Sequence, residues 1–223
     1  MASTTNEPQT IVFFDVEGTG LPFPTNIPKF TELCFLAVSP EDLVKHPSKT
    51  PRVINKLSLC FNPEKSLNQS AVEVSGLTYA DLQECPTFNE QVPILTHFLE
   101  HLPQPVCLVA HNGARYDFPL LAKHLEDAGV DTEQLTTLSC VDTIPIFQAL
   151  IPRRRYRLDE MHEQICKPPN NNKQHTAESD CKKLMEIIQA KCATRFVELC
   201  QSSQKPLHFF TRPAQFANMF AKK

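Results

Sequence analysis

The stretch Thr10-Ile-Val-Phe-Phe-Asp-Val-Glu-Gly-Thr-Gly20 decides the fold. Its first residues are β-branched or aromatic, which reads as a buried strand, and Glu17-Gly-Thr-Gly20 reads as the turn that ends it. Asp15 and Glu17 stand two apart on that strand, so their side chains project from the same face. Two adjacent carboxylates repel each other, and burying either without a partner is costly; a divalent cation removes both problems. The plainer reading of an isolated pair of this kind is a cap on the following turn.

Outward from this strand, Leu33-Cys-Phe-Leu-Ala-Val38 is continuously apolar and predicts a second buried strand. Leu57, Leu59 and Phe61 alternate with Ser58 and Cys60, as in a half-covered third strand. Residues 39 to 52 carry three prolines and read as a loop. Helical patterning begins at Thr78, whose spacing to Asp81 is that of a capping box, and continues over 88 to 102. Then come a strand over 106 to 110, a helix over 118 to 128, a strand over 138 to 141 and a helix over 143 to 150. A helix over 158 to 166, a polar linker at 168 to 172 and a helix from 176 to 201 complete the pattern, and residues 202 to 223 show no firm one. An antiparallel meander followed by βαβα units predicts an α/β fold with one mixed sheet flanked by helices.

The 223 residues and 25.2 kDa fit one domain with a sizeable core. We expect residues 1–9 to be a flexible N-terminus, 10–201 the folded domain and 202–223 a tail. A net charge of -3 and a pI near 6.2 argue against a chain that wraps long duplex nucleic acid, so nucleic-acid contact must be local. The densest basic cluster is Arg153, Arg154, Arg155 and Arg157, with Lys222 and Lys223 at the end, and reads as a solvated loop or a phosphate contact. Nine cysteines without a C-x-x-C pair, after a start lacking a signal segment, predict free thiols in a reducing compartment. Cys34, Cys60 and Cys107 lie in apolar runs and read as small hydrophobes. No apolar stretch approaches the roughly 20 residues of a membrane helix.

Other acids sit where strand and helix ends converge. Asp117 follows His111-Asn-Gly-Ala-Arg-Tyr116, after a strand and before a helix, and alone it could be an N-cap. Asp180 falls on the helical face of Leu184, Ile187 and Ile188, a stripe otherwise apolar, where an acid needs a partner. Asp142 is at a strand end with Pro145 close behind and reads as an N-cap, outside the metal set. A few carboxylates without a cysteine or histidine cluster make a hard-oxygen site suited to Mg²⁺ or Mn²⁺ rather than Zn²⁺, which points to phosphoryl chemistry. His175, five residues before Asp180, can serve as general base. His97 and His101 are spaced as metal ligands on a helix but lack a third.

Phe13-Phe-Asp-Val-Glu-Gly-Thr-Gly-Leu-Pro22, Ala110-His-Asn-Gly-Ala-Arg-Tyr-Asp-Phe-Pro-Leu-Leu121 and His175-Thr-Ala-Glu-Ser-Asp180 together resemble the three motifs of the DEDDh exonucleases. More narrowly, Thr31-Glu-Leu-Cys-Phe-Leu-Ala-Val38, Pro51-Arg-Val53, Lys56-Leu-Ser-Leu-Cys60 and Val74-Ser-Gly-Leu-Thr78 resemble the animal three-prime repair exonucleases, and the likeness covers about residues 10 to 200. It implies a ribonuclease H-like fold and a 3′-to-5′ DNA exonuclease of DNA repair or degradation that releases nucleoside 5′-monophosphates. Two Mg²⁺ ions, replaceable by Mn²⁺, are implied: Asp15, Glu17 and Asp180 hold one, Asp15 and Asp117 help hold the other, and His175 is the base. The backbone at Glu17 and Gly18, with Thr19, Gly20 and Leu21, is implied to receive the terminal nucleotide, Leu21 and Val74 wedging against its base, though core packing explains those two apolar residues equally. Arg115 and Tyr116, with His111 and Asn112 of the same motif, are implied substrate contacts.

The resemblance further implies a homodimer acting on single-stranded or frayed DNA 3′ ends. Gly18 departs from the alanine common in the family, which should loosen the turn. The proline-rich insert of some members is short here, and the hydrophobic tail of membrane-tethered members is absent, so the expected enzyme is soluble, cytosolic or nuclear, with no membrane partner. An RNA exonuclease on the same scaffold and a catalytically silent nucleic-acid-binding protein are the alternatives.

Overall fold

The computed structural model describes residues 7–45, 50–168 and 175–220. Most of the expected linker at 168–172, the two terminal lysines and the first six residues lie outside them. Six strands form one sheet in the order β3-β2-β1-β4-β5-β6. Strand β1 (Thr10–Gly18) is central and pairs antiparallel with β2 (Phe30–Val38), which pairs antiparallel with β3 (Asn55–Cys60). On its other side β1 runs parallel to β4 (Val106–Ala110), which runs parallel to β5 (Leu138–Asp142); the short β6 (Lys205–Pro206) closes that edge antiparallel. This is the mixed sheet expected from the order of elements.

The period-2 alternation of β1 feeds two cores. Val12, Phe14 and Val16 face one, packed under the helices on that side; Ile11 and Phe13 face the other. Asp15 and Glu17 continue the Ile11–Phe13 face, so one strand face changes from apolar to acidic where it leaves the sheet. The first core is covered by α4 (Phe88–His101) and α5 (Asp117–Asp127), and the second by α8 (Ala177–Lys191) and α9 (Ala193–Ser203). Short helices α1 (Pro40–Lys45), α2 (Gln69–Ser75) and α3 (Tyr79–Leu82) line the connections around β3. Helices α6 (Thr143–Leu150) and α7 (Leu158–Cys166) join β5 to α8, and α10 (Pro213–Ala217) is the last α-helix among the described residues.

Several expectations need correction. The loop over 39 to 52 contains α1, begun by Pro40 and capped by Ser39 Oγ, which accepts from the Asp42 N–H at 3.0 Å. The helix from 176 to 201 is two helices, broken at Cys192 with φ -152° and ψ 17°. Unbroken it would run about 39 Å, past the sheet; the break folds Phe196 and Cys200 back into the core. Cys60 is exposed, because β3 is an edge strand with one face open, whereas Cys34 and Cys107 are buried as expected. Residues 202–220 are not patternless: Leu207, Phe210 and Met219 enter the first core, Phe210 lying 5.1 Å from Phe118. Their elements are too short to show a helical or alternating period.

His124 on α5 is 5% exposed, lies edge-on to Phe30 and Phe88, and has no hydrogen-bond partner for either ring nitrogen among the described residues. Burial first, then the positive Lys29, Lys123 and Lys65, depress its pKa to about 4, against a smaller opposing pull from Asp127. The unfolded chain then takes up a proton near pH 6.5 that the folded chain refuses until about pH 4, so the stability this neutral ring contributes is complete above 6.5 and is lost as pH falls towards 4. The gap corresponds to about 3 kcal/mol at the acid end. In His124→Leu, urea unfolding should show that loss removed, the variant gaining on the parent chain at pH 5 relative to pH 7.5.

Candidate metal centre and catalytic site

Four carboxylates meet at the end of β1. Asp15 and Glu17 come from the acidic end of the strand face, Asp180 from the first turn of α8, and Asp117 from the first residue of α5, which follows β4 after the 3-10 turn Gly113–Arg115. Oxygens of Asp15, Glu17 and Asp180 all lie within 4.8 Å of one another. Asp117 is 5% exposed and joins them electrostatically. Helix α8 is delivered here by a capping box in which Thr176 accepts from the Ser179 N–H. Its apolar stripe, Cys181, Leu184 and Ile188, packs on β1 and β2, which turns Asp180 towards Asp15.

The electrostatics mark a site built for positive charge. Burial, then repulsion from Asp117, Asp180 and Glu17, holds the Asp15 carboxyl well above the usual range. Burial and the charges of Asp180, Glu32 and Asp117 push Glu17 up to about 8 despite Lys183. Burial raises Asp117 to about 7, opposed in part by its own N–H and that of Val16. Acids that resist ionisation for want of a counter-charge, with oxygens clustered and no soft donor among them, fit hard divalent cations.

His175 stands beside this cluster. Its Nδ1 is 2.9 Å from Asp180 Oδ2 and its Nε2 3.0 Å from Asp159 Oδ2, while its N–H donates to Val74 O at 3.2 Å. Asp159, on α7, also takes Lys183 Nζ at 2.7 Å, and Lys183 reaches Asp180 Oδ1 at 2.8 Å. Burial pulls the Asp159 carboxyl up, but the hydrogen bond and charge of Lys183, with His175 and Arg157, hold it below its ordinary value.

Asp159 and Lys183 were invisible to sequence reasoning, because α7 and α8 meet only in the tertiary structure. Glu32 was missed as well. It lies opposite Glu17 in the β1/β2 register, 8% exposed, and accepts the Ala177 N–H at 3.2 Å, which anchors the start of α8. A charged residue inside the run Thr31–Val38 was the available signal.

The remaining expected residues lie on the segments that adjoin the acids in sequence and on α2. Strand pairing slips between Glu17 and Gly18, leaving the backbone there off the regular ladder. A Cβ on Gly18 would meet the Tyr116 hydroxyl, the far end of a side chain that would then have to shift, so a tyrosine fills the space beside this turn. Tyr116 donates to Gly20 O at 3.1 Å. Thr19 is buried, its hydroxyl accepting the Lys29 N–H at 3.1 Å. Leu21 is 70% exposed and Val74, on α2, 47%, which rules out core packing for both. His111 is engaged at both nitrogens, with Thr143 Oγ1 at 2.9 Å and Tyr156 O at 2.6 Å. Asn112, in the left-handed region, and Ala114 donate backbone N–H groups to Asp142, which also caps α6 through Ile144 N–H, as its sequence position suggested. That brace shapes the loop carrying Arg115 and Tyr116. A cavity of about 160 Å³ under α4 and α5, lined mainly by apolar side chains such as Leu95, Leu99, Leu121 and Leu125 with Glu100 as its one carboxylate, opens on the other face of the sheet.

A family model described as RNase_T, Exonuclease, matches residues 12–188. The chain is 41% identical to "Three-prime repair exonuclease 1" of Homo sapiens over 206 residues, covering 81% of this chain and 63% of that protein. To the Bos taurus protein of the same name it is 38% identical over 231 residues, covering 91% and 71%. To "Three prime repair exonuclease 2" of Mus musculus it is 39% identical over 152 residues, covering 64% and 62%. The chain thus spans under two thirds of the human relative's length. Among solved structures, the nuclease domain of 3′hExo, a DEDDh family member bound to rAMP, is similar at a TM-score of 0.64 and 14% identity, covering 87% of this chain and 94% of that one, a likeness of fold.

Proposed function

The chain belongs to the RNase_T exonuclease family, and from that premise we propose that it removes nucleoside 5′-monophosphates from DNA 3′ ends by metal-dependent phosphodiester hydrolysis. The observation that carries this reading is the convergence of Asp15, Glu17, Asp117 and Asp180, with three of the four carboxyls raised, beside His175.

Divalent metal ions belong to this family's chemistry, and we assign two Mg²⁺, with Mn²⁺ as substitute, to Asp15, Glu17 and Asp180 and to Asp15 and Asp117. When bound, such ions polarise the scissile phosphate and lower the pKa of the attacking water. The chain's own groups do the rest. With Asp180 assigned to the cation, His175 Nδ1, 2.9 Å from that carboxylate here, is the nitrogen left to take the water proton; Asp159 holds Nε2 at 3.0 Å, and Lys183 ties Asp159 to Asp180. Leu21 and Val74, exposed beside the acids, offer apolar faces for the terminal base, and the irregular backbone at Glu17 and Gly18, with Thr19 and Gly20, receives the nucleotide. Arg115 and Tyr116 contact the DNA near the cleaved bond. To His111 and Asn112 we give support of that loop, since both His111 ring nitrogens and the Asn112 backbone N–H are engaged within the chain.

Family membership also supports a homodimer acting on single-stranded or frayed 3′ ends. Nine cysteines, all free in the structure, support a reducing compartment, cytosol or nucleus, and no helix among the described residues is long and apolar enough to cross a membrane.

Matched DNA and RNA oligonucleotides, labelled at either end, test the reading. With Mg²⁺ the 5′-labelled DNA should shorten to a ladder while 3′-labelled DNA releases labelled nucleotide at once, and neither should happen in chelator. No shortening in Mg²⁺ or Mn²⁺ would end the proposal, and digestion of RNA alone would move the substrate to RNA.

A further inference from the structure

Away from the carboxylate cluster, α7 and α8 bring together donors of a different kind. His162 and Cys166 are four residues apart on α7 and so share a helix face, and Glu186 faces them from α8. His162 Nε2 lies 2.6 Å from Glu186 Oε2, and one donor atom from each of His162, Cys166 and Glu186 falls within 4.8 Å of the other two. His162 is 8% exposed, whereas Cys166 and Glu186 keep partial access to solvent, which leaves an entry path. A histidine–glutamate hydrogen bond accounts for two of these residues; the Cys166 side chain packs at the edge of the second core with its sulfur in reach of both.

Imidazole, thiolate and carboxylate in one triangle is a donor set for a borderline-soft ion, unlike the all-oxygen cluster at Asp15. We propose that His162, Cys166 and Glu186 form a second metal site, for Zn²⁺, that clamps α7 to α8 with its fourth position open to water. Binding displaces the Cys166 proton to solvent and leaves the thiolate as ligand. The clamp has a consequence for the main site: α7 carries Asp159 one turn before His162, and α8 carries Asp180 and Lys183 before Glu186. Pinning the two helices fixes the register on which the contacts of His175 with Asp159 and Asp180 depend. Zinc binding itself does not rest on the exonuclease reading.

Co²⁺, a spectroscopic stand-in for Zn²⁺, gives the test. Metal-stripped full-length chain is first saturated with Mg²⁺ to occupy the carboxylates, then titrated with Co²⁺. One equivalent should produce a thiolate-to-cobalt charge-transfer band in the near ultraviolet, which oxygen ligands cannot give, together with the intense visible bands of a four-coordinate ion. One equivalent of Zn²⁺ should bleach both and raise the thermal midpoint, because a ligand that binds only the folded state stabilises it. Cys166→Ser and Glu186→Gln change partly exposed side chains, so both should keep the native circular dichroism. Cys166→Ser should lose the charge-transfer band, and Glu186→Gln should weaken Co²⁺ affinity more than tenfold. No charge-transfer band in the parent chain overturns the proposal even if every variant misfolds, and an unchanged band in Cys166→Ser overturns it by moving the ligand to another cysteine.

Discussion

Asp15→Asn should abolish trimming of DNA 3′ ends and, in the same protein without metal, raise the temperature of unfolding. The two effects have one origin. Every influence on the Asp15 carboxyl disfavours its charge: burial first, then Asp117, Asp180 and Glu17. Near neutral pH the metal-free fold must tolerate that charge or hold a proton against bulk solvent, and the isosteric amide needs neither. Activity moves the other way, because Asp15 is the one group we assign to both ions. Cation stabilisation of a transition state is worth several kcal/mol and each 1.36 kcal/mol is tenfold, so the rate should fall by about 10³-fold or more. Steady-state kinetics on 5′-labelled DNA, paired with calorimetry in chelator, reads both. A variant that is inactive and less stable would show that Asp15 has a structural partner in the metal-free protein, against the argument.

The second large effect is a pH dependence that metal should erase. For an acid whose pKa is higher in the folded than in the unfolded chain, the folded state holds the extra proton, so stability is greatest at low pH and falls as pH rises through the gap. For Glu17 that window runs from its ordinary 4.5 to about 8, and for Asp117 from 3.8 to about 7. His124 acts oppositely, but only between about 4 and 6.5. From pH 6.5 to 8 the carboxylates act without it, and the metal-free protein should lose stability steadily. With saturating Mg²⁺ or Mn²⁺ the ionised acids gain their counter-charge, and the curve should flatten. The stabilisation by cation therefore grows with pH, by an amount on the order of a few kcal/mol by pH 8. Equal urea midpoints at pH 6.5 and 8 in chelator would contradict it.

Much of this site is legible along the chain because its residues announce themselves by being out of place. Asp15 and Glu17 interrupt a strand face, Asp180 an apolar helix stripe, and each was read from period alone. Asp142 was equally readable as a cap and does cap α6. Other features have no local signature. Leu21 and Val74 are apolar letters that a core would explain as well, and only their exposure of 70% and 47% separates the two readings. Gly18 reads as a loose turn until the Tyr116 hydroxyl is found in the space of its missing side chain.

The sequence by itself determined the mixed sheet and the order of its elements, and it marked Asp15, Glu17 and Asp180 as acids out of place, because alternation, helical period and burial cost are properties of short segments; Asp117 and His175 joined them through the family motifs. Only the tertiary structure decided what surrounds them. Asp159 meets His175 across 16 residues, Glu32 anchors α8 across 145, and His162 with Cys166 finds Glu186 on another helix. Residues 205–210, too short to carry a period, become a strand and a core patch by pairing with β5 and packing on Phe118. Long-range partners are chosen by where the sheet brings helix ends together, and no local pattern encodes that choice.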